Sequence, residues 1–196
     1  TVIKKGIQYA LYRDYIKQDI TSGLVVWGKE SKTNSQINCL STEQLNHILE
    51  DTKGTEFGLK ILLAFSLGLR ESEVLAMSWD NIDFDSEEIR VCQIVVKKND
   101  KYTIQKFTKN KNDLVVKMPK FLIDALREYR VEWCERMLET GFRDNENLLF
   151  YGKNFKIIPT ATLSNQFKRY LTSLGIENVT FHGLRHSYAS LLFHKG

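Results

Sequence analysis

The chain has 196 residues, 42% hydrophobic and 27% charged, which suits one full domain with a sizeable core and leaves room for part of another. No apolar run is long enough to span a bilayer and no secretory signal pattern opens the sequence, while Cys39, Cys92 and Cys134 are odd in number and scattered, so reduced thiols in a cytoplasmic protein with no membrane association are expected rather than a disulfide framework. The net charge is only +4 but unevenly placed: eleven acids face four bases between residues 40 and 95, whereas eight lysines and two acids lie between Lys97 and Lys120, a pattern predicting one basic face of the kind that meets nucleic acid.

Taken in chain order, Ile3, Ile7, Ala10, Leu11 and Tyr15 recur at helical spacing over residues 1–17, and the Ser/Gly/Lys/Thr-rich stretch Thr21 to Ser35 reads as a linker. Ser41 with Gln44 three residues later is a capping box, opening a helix with Leu45, Ile48 and Leu49 as its buried stripe. A long apolar helix follows and is broken at Gly68. Arg70 comes next, and then a short helix for which Ser72 is the candidate N-cap and Val74 and Leu75 the buried side. Ile89 to Val96 and Tyr102 to Thr108 are rich in strand formers and predict a hairpin joined by Lys97-Lys98-Asn99-Asp100-Lys101, with Leu114 to Met118 as a third strand. Pro119 to Gly141 reads as one amphipathic helix, its core side made by Phe121, Leu122, Ala125, Leu126, Tyr129, Trp133, Met137 and Leu138. A further helix runs from about Thr162 to Leu174 and stops at Gly175, and the last begins near Phe181. The expected class is α+β, mostly α, with a small antiparallel sheet.

Two segments carry chemistry. In Thr180-Phe-His-Gly-Leu-Arg-His-Ser-Tyr-Ala-Ser190, His182 and Arg185 fall about one helical turn apart. A guanidinium offers forked donors matched to phosphate oxygens, and an imidazole beside it can donate to the same phosphate or move a proton. The start of a helix also favours an anion. The same pair is compatible with an ordinary surface helix. In Ser66-Leu-Gly-Leu-Arg-Glu-Ser-Glu-Val-Leu-Ala-Met-Ser-Trp79, Arg70 sits at a helix–helix junction beside an apolar core, where it could equally be a surface cation paired with Glu71 or Glu73. His182 and His186, four apart, could share a metal, but no glutamate follows as in H-E-x-x-H and no carboxylate or cysteine pair completes a ligand set, so no metal is expected.

Taken together, G-L-R-x-S-E-V-L at residues 68–75 and F-H-x-L-R-H-S-x-A-S at residues 181–190 resemble the tyrosine recombinase family of phage and transposon integrases, in order and over nearly the whole chain from about residue 40. The resemblance implies a catalytic domain over 36–196, C-terminally incomplete, after the end of a core-binding helical domain and linker over 1–35. It implies site-specific DNA recombination and integration, by strand cleavage and rejoining through a 3′-phosphotyrosine, with no cofactor. Arg70 and Arg185 would clamp the non-bridging oxygens, with His182 assisting. Lys109, or its rival Lys111, would be the general acid for the 5′-hydroxyl. Lys97, Lys98, Lys101, Lys106 and Lys111 would meet the backbone of double-stranded DNA, on which the full-length protein would act as a tetramer. Glu73 would orient the Arg70 region and Thr180 would cap the last helix. The family pattern continues to a Leu-Gly-His (or Trp) segment and then the tyrosine nucleophile, and this chain is expected to stop before both. Tyr170 and Tyr188 are then structural, and His194 has no counterpart. The alternative reading is a DNA-binding module without catalysis.

Overall fold

The computed structural model describes residues 40–107, 113–143 and 145–185. The chain divides into two compact units, Thr1–Gln36 and Ile37–Gly196. The first lies outside the described residues, and with it the helix and linker expected there.

The second unit opens with α1, Thr42–Asp51. Ser41 accepts from the Gln44 N–H at 3.2 Å and the Gln44 side chain accepts from the Ser41 N–H at 3.0 Å, the reciprocal capping box expected from the sequence. Thr55 caps α2, Glu56–Leu67, an apolar helix whose Leu59, Ile61, Leu63, Ala64 and Leu67 are buried. It ends at Gly68, which is left-handed at φ 62° and ψ 33°, a conformation glycine adopts without the Cβ penalty. The five-residue α3, Glu71–Leu75, follows at once, with Val74 and Leu75 in the core. Its N-cap is Arg70, not Ser72: the Glu73 carboxylate reaches back to the Arg70 N–H, so the cap is made by an acid in the first turn rather than by a serine hydroxyl.

The strands differ from the sequence reading in how they divide and pair. Ile89 to Val96 is not one strand but two, β2 (Glu88–Val91) and β3 (Gln93–Lys98), separated at Cys92. β2 is central in an antiparallel sheet between β1 (Ile82–Asp83) and β5 (Leu114–Lys117), whereas β3 pairs with β4 (Lys101–Lys106) in a separate hairpin. The third strand therefore pairs with β2 and not with the hairpin. The hairpin turn is only Asn99-Asp100, both at positive φ (47° and 59°), the backbone of a two-residue turn that follows strand twist.

The long helix α4, Lys120–Thr140, is capped by Gly141 at φ 66°. Leu122, Ile123, Leu126 and Tyr129 face the core, but Phe121 and Leu138, expected among them, are exposed. Phe121 lies in the first turn beside the buried Leu122 and Ile123 but on the opposite face, and Leu138 lies in the last turn, where no residue is buried. Trp79 stacks on Tyr129 with centroids 6.2 Å apart and meets Trp133 edge-on at 5.9 Å, tying α4 to the segment after α3. α5, Thr160–Ser173, buries Leu163, Phe167 and Leu171, and a final helical turn covers residues 181–185. Among the described residues, no helix is long and apolar enough to cross a membrane.

Candidate functional site

Arg70 is held at two points by one carboxylate. Its backbone N–H donates to Glu73 Oε2 at 2.7 Å and its Nη1 to Glu73 Oε1 at 3.0 Å. The Glu73 side chain is 8% exposed and that of Arg70 is 53% exposed, so the acid is sunk in the protein while about half of the Arg70 side chain remains open. Acids in the first turn suit the positive end of the helix dipole. Of the two partners the sequence allowed for Arg70, Glu73 is the one used.

Arg185 reaches the same junction from the other end of the sequence. The Gly68 and Leu69 N–H groups both turn back to the Ala64 carbonyl to close α2. The Gly68 carbonyl accepts from Arg185 Nη1 at 2.5 Å, a contact spanning 117 residues. The two guanidiniums are thus anchored within one short turn of chain, Arg185 on the carbonyl of Gly68 and Arg70 two residues later. His182 lies exposed on the same turn as Arg185. Thr180 caps that turn, its Oγ1 accepting from the Gly183 N–H at 3.3 Å. Phe181 and Leu184, 2% and 0% exposed, fix it in the core.

α5 links the two segments. Phe167 meets Phe181 edge-on with centroids 5.3 Å apart, and Ser164, one turn earlier, donates to Glu71 Oε1 at 2.7 Å. Neither α5 residue bears a charge, and no pattern in the sequence singles out Ser164. The Gly68 carbonyl was equally hidden, because backbone acceptors leave no signature in residue type. Gln93 could have been found: it falls in register with the inward-facing Val95 of β3, and a polar residue there needs a buried partner. That partner is the Ala76 carbonyl at the end of α3, 2.6 Å from Gln93 Nε2.

Lys109 and Lys111 lie outside the described residues. The described residues on either side of them are held: the Phe107 N–H donates to the Cys92 carbonyl at 2.8 Å, and Asp113 pairs with Arg90. The hairpin lysines do not share one face. Lys98 and Lys101 stand directly opposite each other, while Lys97 pairs across from Tyr102 and Lys106 from Gln93, on the other side of the ribbon. All four are exposed, and Lys97 is 2.7 Å from Asp100. The basic stretch is therefore a two-sided hairpin, because strand alternation separates adjacent lysines.

The tyrosines at 129, 151 and 170 have structural partners. Tyr129 donates to the Leu149 carbonyl at 3.0 Å, and the Tyr151 oxygen accepts from the Leu148 N–H at 2.8 Å. Tyr170 donates to Asp51 Oδ2 at 2.6 Å. Burial, and then the Asp51 hydrogen bond and charge, push the Tyr170 phenol well above its usual range, which makes it a poorer nucleophile. Tyr188, His186 and His194 lie outside the described residues. Among the described residues Cys92 and Cys134 are free thiols, while Cys39 lies outside them; burial, and then the charge of Asp113, raise the Cys92 thiol and quiet it.

The sequence model of the phage integrase family matches residues 37–196. The chain belongs to this family. Among curated relatives, a XerC-like tyrosine recombinase of Caldanaerobacter subterraneus subsp. tengcongensis is 32% identical over 210 residues, covering 99% of this chain and 54% of its own length. A XerA tyrosine recombinase of Thermococcus kodakarensis is 32% identical over 140 residues, covering 70% of this chain and 42% of its own. The chain thus spans about half the length of the curated relatives it matches. In fold it is similar to the Tn1549 transposon integrase, solved in complex with a circular intermediate DNA, at TM-score 0.73 and 17% identity over 98% of this chain and 64% of that one. That likeness carries the mostly helical α+β architecture of an integrase catalytic domain to this family member.

Proposed function

We propose that this chain is the larger part of the catalytic domain of a site-specific tyrosine recombinase, which cleaves and rejoins double-stranded DNA through a 3′-phosphotyrosine intermediate. The observation that carries the reading is the Arg185 hydrogen bond to Gly68 across 117 residues, which ties a second cation to the turn just before Arg70. Two guanidiniums, each tied at one point, suit the non-bridging oxygens of a phosphodiester passing through a pentavalent state. His182 is placed to donate to that phosphate or assist proton transfer, and Lys109, or Lys111, protonates the 5′-oxygen as it leaves. Lys97, Lys98, Lys101, Lys106 and Lys111 meet backbone phosphates on either side of the hairpin. No cofactor is required, since the two cations supply the charge a metal would otherwise bring. The recombinase works in the cytoplasm and as a tetramer on DNA; lambda integrase, similar in fold at TM-score 0.54, was solved as a tetramer bound to a Holliday junction.

The nucleophile is a tyrosine other than those at 129, 151 and 170, whose oxygens serve packing. A suicide DNA substrate that traps the covalent intermediate, run on a denaturing gel, tests this. The 196-residue chain yields no adduct, and a form extended to the length of its relatives yields one. An adduct from the 196-residue chain would overturn the assignment of its tyrosines. Its absence from an extended form that still binds duplex DNA would favour a non-catalytic DNA-binding module.

A further inference from the structure

A helix of five residues cannot orient itself. Its first turn costs more conformational entropy than its one or two hydrogen bonds return, and it exposes nearly every one of its terminal N–H and C=O groups. α3 carries Arg70 at its N-cap, so whatever holds α3 aims that cation. Two side chains from other elements grip it at opposite ends. At the start, Ser164 of α5 donates to Glu71 Oε1 at 2.7 Å. At the finish, Gln93 of β3 donates through Nε2 to the carbonyl of Ala76, the C-cap residue, at 2.6 Å. Gln93 is 6% exposed, and its amide is committed to an orphan helix carbonyl.

Each grip also reaches another part of the candidate site. α5, which supplies Ser164, packs Phe167 against Phe181 and so seats the turn bearing His182 and Arg185. Gln93 pairs in register with Lys106, next to Phe107, whose N–H is held by the Cys92 carbonyl at the end of the hairpin. We infer that Ser164 and Gln93 are positioning residues: together they set the placement of Arg70 relative to Arg185 on one side and to the β3–β4 hairpin on the other. This rests on the recombinase reading above. Neither residue touches DNA phosphate in this scheme; each acts through the pose of α3.

The test uses the full-length recombinase, measuring duplex affinity, melting temperature and the single-turnover rate of adduct formation at saturating DNA. Gln93→Met keeps the length of the side chain and removes the amide, and with it the donor to the Ala76 carbonyl. Cleavage should fall about tenfold or more while DNA affinity stays within about twofold, because sub-ångström displacement of a clamp costs rate before it costs binding. Ser164→Ala should slow cleavage in the same way, and Ser164→Thr, which keeps the hydroxyl, should restore it. Unchanged cleavage in both Gln93→Met and Ser164→Ala would overturn the inference, as would losses of rate that merely follow losses of affinity. If Gln93→Met does not fold, the Ser164 pair decides: a slow alanine variant rescued by threonine supports the inference, and equal rates overturn it. A wild-type protein that forms no adduct would instead sink the recombinase reading itself.

Discussion

The junction after α2 and the tip of the β3–β4 hairpin both present cations, but they hold them differently. At the junction, Arg70 is tied to a buried carboxylate and Arg185 to a backbone carbonyl, so each guanidinium has a fixed origin. On the hairpin, Lys98 and Lys101 face each other as like charges on exposed strand ends, an arrangement that costs stability and points nothing in particular. Anchored cations can stabilise charge that develops at one place; exposed lysines can only raise the concentration of an anion nearby. The first arrangement suits chemistry and the second suits capture.

The largest effect that would sharpen this contrast is at Arg185. In a full-length recombinase, Arg185→Ala should lower single-turnover cleavage by roughly 10²–10³-fold, about 3–4 kcal/mol of transition-state stabilisation, while duplex affinity changes little. A loss of affinity matching the loss of rate would mean the two regions do the same work.

Replacing both Lys98 and Lys101 by glutamine should do the reverse. Affinity should fall, and the slope of log affinity against log salt should become shallower by roughly two, the number of phosphate contacts removed. Cleavage at saturating DNA should stay unchanged. An unaltered salt slope would break the comparison, since the hairpin would then not be a capture surface.

Much of this contrast was legible in residue order, and its limits have physical causes. The capping box at Ser41 and Gln44 is local chemistry within one turn, and it stands as read. Gly68 and Gly141 both end helices in the left-handed conformation, again a property of single residues. The break at Cys92 was not legible, because Ile89 through Val96 is uniformly strand-forming and only tertiary pairing divides it between two partners. The cap at Arg70 was misplaced for a related reason: Ser72 is the better capping residue in isolation, but the buried Glu73 carboxylate reaches one turn back and wins. Arg70, His182 and Arg185 were visible as residue types at suggestive spacing. The Gly68 carbonyl and the Ser164 hydroxyl were not, since both depend on which elements meet in space.

The smallest effect concerns a residue outside both cationic regions and serves as their control. Tyr170 links α5 to α1 through Asp51 and meets Phe57 edge-on with centroids 5.5 Å apart. Its phenol is raised above the ordinary value of 10.0, first by burial and then by the Asp51 hydrogen bond and charge. The fold therefore favours the protonated phenol, and the stability it contributes is fully present below about pH 10 and is lost as pH climbs from there through the higher folded value. Tyr129 is raised in the same direction, by burial first and Glu56 next, so both should ionise late in an ultraviolet titration of the folded chain. Tyr170→Phe should remove one late-titrating phenol and cost about 0.5–1 kcal/mol at neutral pH, the worth of one partly exposed hydrogen bond. Cleavage and DNA affinity in the full-length protein should not change. A Tyr170 phenol that titrated early, or a Tyr170→Phe variant that lost cleavage, would place a reactive tyrosine on α5 and move the chemistry away from the junction of Arg70 and Arg185.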